Sequence, residues 1–226
     1  MIVFILANAP LELIPRPMWT HPAIKKWAKI RNKKPNEMIL DSSFHFSAIR
    51  DYGLDKNRGR LDILHRALLT ILDTDLCSEG LISDIVIHTI NNKVYSINSQ
   101  TRLPRHYFRF IGLMEKLLTH GEIRTNNTTL ITQRKNLKEV LKNNNVTHTV
   151  GLSRRGQRIV LDEYLEKVIS KNKNIAIIVG AFAHGFFNGD ILQIIDKLIS
   201  IGKKPYTTSY VLCKIITTLE KILLKT

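Results

Sequence analysis

Short β-branched runs and helix-period stretches alternate through the C-terminal half of the chain from residue 126, and this alternation constrains the fold more than any other feature. Thr128 to Thr132, Thr147 to Leu152 and Ile175 to Val179 have the length and composition of strands. Leu137 to Lys142, Val160 to Ser170, Ile191 to Ile199 and a last stretch from about Tyr210 read as helices between and after them. Successive strands joined through helices must lie parallel, and the helices then cover both faces of the sheet. Ile2 to Leu6 adds an apolar run suited to a fully covered strand. No Pro/Gly/Ser-rich linker or internal repeat breaks the 226 residues, so 1–226 read as one α/β domain.

The N-terminal half is basic and less regular. Residues 22–34 form a helix in which Lys25, Lys26, Lys29, Arg31, Lys33 and Lys34 surround Trp27. Met38 to Leu40 is a second strand candidate, ending at Asp41-Ser42-Ser43, where the carboxylate is placed to cap the next helix. Lys56-Asn57-Arg58-Gly59-Arg60 is a basic loop leading into an amphipathic helix, Leu61 to Leu72, with Asp62 in its first turn. Asp84 to Asn98 alternates in two runs about Asn91-Asn92, a β-hairpin signal, since asparagine tolerates the positive φ of tight turns. The hairpin leads to Arg102. Loop, hairpin and the segment after it are therefore expected to form a basic extension on the core, about residues 42–110.

Formal charge narrows the partners. A net +15 favours a polyanion, with a nucleic acid ahead of an anionic membrane. The longest apolar run, Ile175 to Phe182, falls far short of the roughly 20 residues of a spanning helix. Cys77 and Cys213 offer neither a disulfide framework nor metal-ligand spacing, so no metal is expected and a reducing cytoplasm is the natural setting. GxGxxG and Walker patterns are missing, which counts against ordinary dinucleotide and P-loop sites. Ligands of an open α/β sheet bind beyond the carboxyl ends of its strands. The informative ends here are Leu152-Ser153, Gly180 to Gly185, and Thr207-Thr208-Ser209.

Thr101 to Leu118 combines two jobs. From Pro104, suited to a first helical turn, Tyr107, Ile111, Met114 and Leu118 share one face, while Arg105, Arg109 and Lys116 share the other and Arg102 stands just ahead. Arginine forks grip phosphate and rings stack on unpaired bases. TRLPRHYFRFIGLME, at 101–115, closely resembles the TRLPRNYxRFxGLME signature of the SPOUT-class enzymes that methylate N1 of a pseudouridine in small-subunit ribosomal RNA. The likeness extends to LELIP at 11–15, to 21–45 and to KNRGRLDILH at 56–65.

The resemblance implies a methyltransferase of ribosome biogenesis, with a parallel sheet threaded into a deep trefoil knot that binds S-adenosylmethionine. GAFAHGFF resembles the family's GGFPHGxF loop and carries cofactor binding to Gly180 and Gly185. TTSYVLC resembles a segment ending in SRVLC and carries it to Thr207, Thr208, Ser209, Tyr210, Val211 and Leu212, with Leu152 and Ser153 at a neighbouring strand end. Ala181, Ala183, Tyr210, Leu61 and Asn8 depart from the family pattern. Arg60, Arg102, Arg105 and Arg109 match positions that grip substrate RNA. Asp62 is either the base that takes the N1 proton or the orienter of Arg60, and the second role is favoured because a carboxylate beside arginine is a weak base. His65 and His184 are further candidates for moving protons. A homodimer is expected, from SPOUT relatives and from the apolar stripe Leu212, Ile215, Ile216, Leu219, Ile222 and Leu223. The other open reading is a non-catalytic rRNA-binding assembly factor of the same fold.

Overall fold

The computed structural model describes residues 1–125 and 128–225; residues 126, 127 and 226 lie outside the described residues. In chain order the elements are β1 (Ile2–Ala9), α1 (Pro22–Arg31), α2 (Ser42–Asp51), α3 (Leu61–Leu72), α4 (Asp75–Ser78), β2 (Ile82–Thr89), β3 (Val94–Ile97) and α5 (Tyr107–His120). They continue with β4 (Glu122–Thr125), β5 (Thr128–Arg134), α6 (Leu137–Asn143), β6 (His148–Arg158), α7 (Leu161–Lys171), β7 (Ile175–Gly180), α8 (Gly189–Leu192), β8 (Lys197–Ser200) and α9 (Thr208–Leu224).

Among the described residues eight strands join one sheet in the order β4-β5-β3-β2-β1-β7-β6-β8. From β2 to β8 the pairs are parallel, as the alternation of runs predicts. Beyond β2 the sheet turns antiparallel through β3, β5 and β4. Thr128 to Thr132 lies in β5, which runs in the same direction as β2 and β6, as the alternation predicts; the difference is that its pairing neighbours, β3 and β4, are antiparallel to it, because β3 is the returning arm of the hairpin. The hairpin is also more central than expected. Its first strand, β2, is buried beside β1, so it enters the sheet instead of standing on an extension.

Alternation along β1 divides the core. Ile2, Phe4 and Leu6 face a large cluster built with α3, α5, α7 and α9, while Val3, Ile5 and Ala7 face a smaller one with α6 and the region of α8. Helices α1 and α2 close a third cluster around Met18, Ile24, Met38 and Ile49. The expected helix Ile191 to Ile199 is instead the short α8 followed by strand β8, whose Gly151-facing side chains and pairing with β6 override the helical spacing. Met38 to Leu40 forms no strand beyond the single bridge Leu13–Ile39. Helix α1 stops at Arg31 because Asn32 takes a left-handed conformation, φ 48°. Helix α5 starts at Tyr107, not Pro104, because His65 Nε2 donates to the Pro104 carbonyl at 2.8 Å and ties that turn to α3.

Two buried carboxylates fix α1 and α2 to α5. Glu115, 2% exposed, accepts from both guanidinium arms of Arg31, from Lys33 Nζ at 2.6 Å and from the Ile39 N–H at 3.2 Å. Asp41 caps α2 by accepting from the Ser43 N–H at 2.7 Å and also accepts from the Tyr107 hydroxyl at 2.6 Å. Burial, with that contact, pushes the Tyr107 hydroxyl far above its usual pKa, so it stays protonated and donating.

Below these carboxylates His45 is buried, its Nδ1 accepting from the Asp41 N–H at 3.0 Å and its Nε2 without a partner among the described residues. Burial, with the nearby Arg31 charge, pushes its pKa down to about 4, against a smaller opposing pull from Glu115. The unfolded chain therefore takes up the proton first as pH falls. The stability contributed by neutral His45 is complete above pH ~6.5 and is lost as pH falls towards 4, at up to about 1.4 kcal/mol per pH unit. His65 and His88 are also lowered by burial and act in the same direction. Urea unfolding should thus show a falling free energy between pH 7 and 5, and His45→Asn, which keeps an acceptor but cannot titrate, should flatten the fall. An identical slope in that variant would show that His45 does not carry it.

Candidate active site

The carboxyl ends of β6, β7 and β8 open into one crevice of about 380 Å³. Strand β6 makes room for it: Leu152 and Gln157 both face Ile199, so Ser153 to Gly156 leave the ladder as a bulge. A Cβ at Gly156 would stand 2.5 Å from the Ile199 backbone, which makes that close approach possible only for glycine. Leu152, Val179, Ile201 and Val211 supply apolar walls, and Arg154 and Lys204 supply cations. Across the rim Arg155 lies over the Phe186 ring at 4.6 Å.

Of the residues expected at a cofactor, Leu152, Ser153, Gly180, Gly185, Thr208 and Val211 line this crevice. Thr207, Ser209, Tyr210 and Leu212 do not line it. They belong to the first turns of α9, where the Thr207 side chain accepts from the Tyr210 N–H, Leu212 is buried and Tyr210 stacks on Tyr206 at 4.6 Å. The third strand exit is Ser200-Ile201-Gly202, followed by Lys204 to Tyr206, and the sequence reading missed it by treating β8 as helix. The signal was present, since Leu198, Ile199 and Ile201 make a short, mostly apolar run ending at Gly202. Thr208 closes the arrangement by donating from its hydroxyl to the Gly180 carbonyl at 2.7 Å.

The basic loop of residues 56–60 is held against this crevice. Asn57 Nδ2 donates to the His184 carbonyl and Asn57 Oδ1 accepts from the His184 N–H, both at 2.8 Å. Gly185, φ 106°, follows in a conformation open to glycine. Arg58 does not face a ligand, because its guanidinium pairs with the buried carboxylate of Glu12, which also accepts from Asn91 Nδ2 at 3.3 Å. Thus LELIP and KNRGR meet through an ion pair, and the Asn-Asn turn joins them.

Arg60 forms a two-pronged pair with Asp62 at 2.9 and 3.0 Å, and Arg66 adds a third contact to Asp62 at 3.0 Å. Burial raises the Asp62 pKa, but hydrogen bonds and charge from Arg60, with Arg66, outweigh it and leave the carboxyl below its usual range. Arg105 pairs with Asp73 at 2.9 Å, just past the far end of α3 from Arg60. Arg102 and Arg109 are exposed and make no ion pair among the described residues. Arg60 and Arg105 therefore stand at opposite ends of α3. His65, stacked on Phe110 at 4.2 Å and bound to the Pro104 carbonyl, serves packing. His184 lines the crevice through a backbone that Asn57 holds. Among the described residues no cluster of His, Cys, Asp or Glu could hold a metal ion, and no helix is long and apolar enough to cross a membrane.

Comparison with known proteins places this geometry. Residues 4–220 match the family model described as EMG1/NEP1 methyltransferase. "Ribosomal RNA small subunit methyltransferase Nep1" of Saccharolobus solfataricus is 41% identical over 220 residues, covering 97% of this chain and 96% of that protein. The protein of the same name from Staphylothermus marinus is 34% identical over 223 residues, covering 98% and 96%. Among solved structures, Archaeoglobus fulgidus Nep1 bound to S-adenosylhomocysteine superposes with a TM-score of 0.86 at 33% identity, covering 97% of each chain.

The double hydrogen bond of Asn57 should control order in the loop that lines the crevice. Asn57→Leu is expected to speed exchange of the His184 amide by about tenfold or more, since each hydrogen bond contributes roughly 1 kcal/mol. Wild-type protection of that amide in the variant would show the loop to be held elsewhere.

Proposed function

The chain belongs to the EMG1/NEP1 methyltransferase family, and from that premise we propose that it methylates N1 of a pseudouridine in small-subunit ribosomal RNA, with S-adenosylmethionine as donor. The observation that carries the reading is the direct tie of the basic loop to the crevice through Asn57 and His184, which sets an RNA-facing arginine beside a ligand pocket. A chain with free Cys77 and Cys213 fits the reducing cytoplasm where ribosomes are assembled.

The crevice suits the cofactor. Apolar walls from Leu152, Val179, Ile201 and Val211 fit a flat purine, Arg154 and Lys204 fit a carboxylate, and Gly180, Gly185 and Gly202 leave main chain within reach. Bound there, the donor supplies a sulfonium methyl that is already activated. The chain's own task is then to place the base nitrogen in line and to settle the charge that develops on the ring. The N1 proton passes to solvent water, and Arg60 is the cation for the charge that its loss leaves on the ring. Asp62 is its positioning residue and not the base, because two guanidinium groups hold it ionised and unwilling to take a proton. Thr207, Ser209, Tyr210 and Leu212 act indirectly, by fixing the start of α9 so that Thr208 and Val211 reach the pocket. Arg102, Arg105 and Arg109 extend the phosphate-gripping surface along α5.

Two architectural readings accompany this function. The C-terminal segment is assigned the trefoil knot of SPOUT enzymes, supported by the return of α9 from β8, at the sheet edge, to the Gly180 carbonyl of β7. A homodimer is supported by exposed apolar groups near the crevice, Tyr206 at 42%, Tyr210 at 43% and Val160 at 61%. The α9 stripe gives no such support, because Leu212, Ile215, Ile216 and Leu219 pack inside the chain, where α9 meets α3 and α7.

The deciding experiment is mass mapping of methylation on a stem-loop with a single pseudouridine, beside the same loop with uridine; methylation confined to the first is expected, and none on either would refute the proposal. Asp62→Asn should weaken RNA binding by about threefold to tenfold and lower turnover to match, as for a charge-assisted contact of roughly 1 kcal/mol. Normal RNA binding with abolished single turnover would instead make Asp62 the base. Light scattering should give twice 26.0 kDa, and a mass of one chain across micromolar concentrations would exclude the dimer.

A further inference from the structure

Outside the crevice the structure holds an aromatic stack that the methyl-transfer reading does not use. Trp27 of α1 and Phe44 of α2 lie face to face, ring centroids 4.1 Å apart and planes 7° from parallel. Phe108 of α5 completes the group, 5.6 Å from Phe44 and 6.4 Å from Trp27, with His106 5.9 Å beyond it. The three rings come from three helices whose mutual position is fixed by the Glu115 and Asp41 networks, so the stack is built before any ligand arrives. Phe108 is its open end, 47% exposed, and Ile30, one turn on from Trp27, is 60% exposed.

The electrostatic surroundings identify the occupant. Helix α1 carries Lys25, Lys26 and Lys29, all exposed, and contains no acid. Of the carboxylates near it, Glu115 is buried and neutralised by Arg31 and Lys33, and Asp51, at the N-terminal end, is paired with His21 and Arg50. A flat apolar face among uncompensated cations suits a base on a phosphate backbone better than an apolar protein surface. Position agrees, because Phe108 lies between Tyr107, whose hydroxyl reaches Asp41, and exposed Arg109. At the other side the Ser42 N–H, two residues before Phe44, donates to the Gly59 carbonyl at 2.9 Å, directly before Arg60.

We propose that Phe108, at the open end of the Trp27–Phe44–Phe108 stack, is a platform on which an unpaired base of the substrate RNA stacks, separate from the base presented for methylation. The platform rests on the reading of the chain as an RNA methyltransferase. It adds a contact to the nucleobase where Arg102, Arg105 and Arg109 supply contacts to phosphate.

The test uses the full chain and a short stem-loop with one pseudouridine, with 2-aminopurine placed at each other loop position in turn, and a fully paired duplex as comparison. Phe108→Ala should lower stem-loop affinity by about fivefold to a hundredfold, the range for losing one stacked base. Its salt dependence should be unchanged because no cation is lost, and duplex and S-adenosylhomocysteine binding should match the unsubstituted protein. Phe108→Leu keeps apolar contact with Phe44 without a π face and should show the same loss, while Phe108→Trp should restore affinity. One 2-aminopurine position should be quenched by the unsubstituted protein and not by Phe108→Leu. Unchanged stem-loop affinity in Phe108→Leu, or an equal loss for the duplex, would assign the rings to packing or to a protein partner and overturn the platform. Failure of the unsubstituted protein to bind the stem-loop would overturn the methyltransferase reading together with it.

Discussion

Strand β1 needs two partners, and everything else in the molecule is arranged by that need. Its residues are buried along nearly the whole of Ile2–Ala9, so no backbone N–H or C=O can turn to water and both edges must be paired. Ile2 is opposite Ile82 on one edge and Ile175 on the other. The pairings join the N-terminus to two distant parts of the chain, and both neighbours run parallel to it. Loops leaving β1 and β7 at their carboxyl ends are thereby forced to the same side of the sheet, where Ala181 N–H donates to the Ala7 carbonyl at 2.8 Å. The crevice, the basic loop and the turn of the β2–β3 hairpin meet there as a consequence.

Two classes of cation separate once that frame exists. Arg31 and Arg58 are committed to the buried carboxylates Glu115 and Glu12, and removing either would strand a charge away from water. Arg102 and Arg109 remain exposed, where their charge is available to a polyanion. Arg60 lies between these classes, half-buried and held by Asp62 yet near the crevice loop through Asn57. The protein thus uses ion pairs to assemble the surface that carries its exposed arginines.

The aromatic residues divide in the same way. Phe110, adjacent in sequence to Arg109, is fully buried and stacks on His65, whereas Phe108 is half exposed over Phe44. A helix turns about 100° per residue, so Phe108 and Phe110, two residues apart, stand roughly 200° apart and face solvent and core. The same turn puts Glu115 inside, where it joins α1 to α5.

The sequence by itself determined the α/β class, the parallel run of β1, β7 and β6, the hairpin and the placing of Gly180 and Gly185 at a strand exit, because these follow from local periodicity and from the φ freedom of glycine and asparagine. The family pattern in 101–115 and 56–65 was legible for the same reason, as a string of residue types. Which arginine is structural was not legible, since Arg58 and Arg60 look alike until Glu12 and Asp62 are folded beside them. Strand β8 was hidden because a four-residue strand has too few side chains to outvote a helical spacing, and only pairing with β6 decides it. The contacts Asn57–His184 and Trp27–Phe44–Phe108 were decided by tertiary structure alone: each joins elements far apart in the chain, and no local pattern encodes which of them will meet.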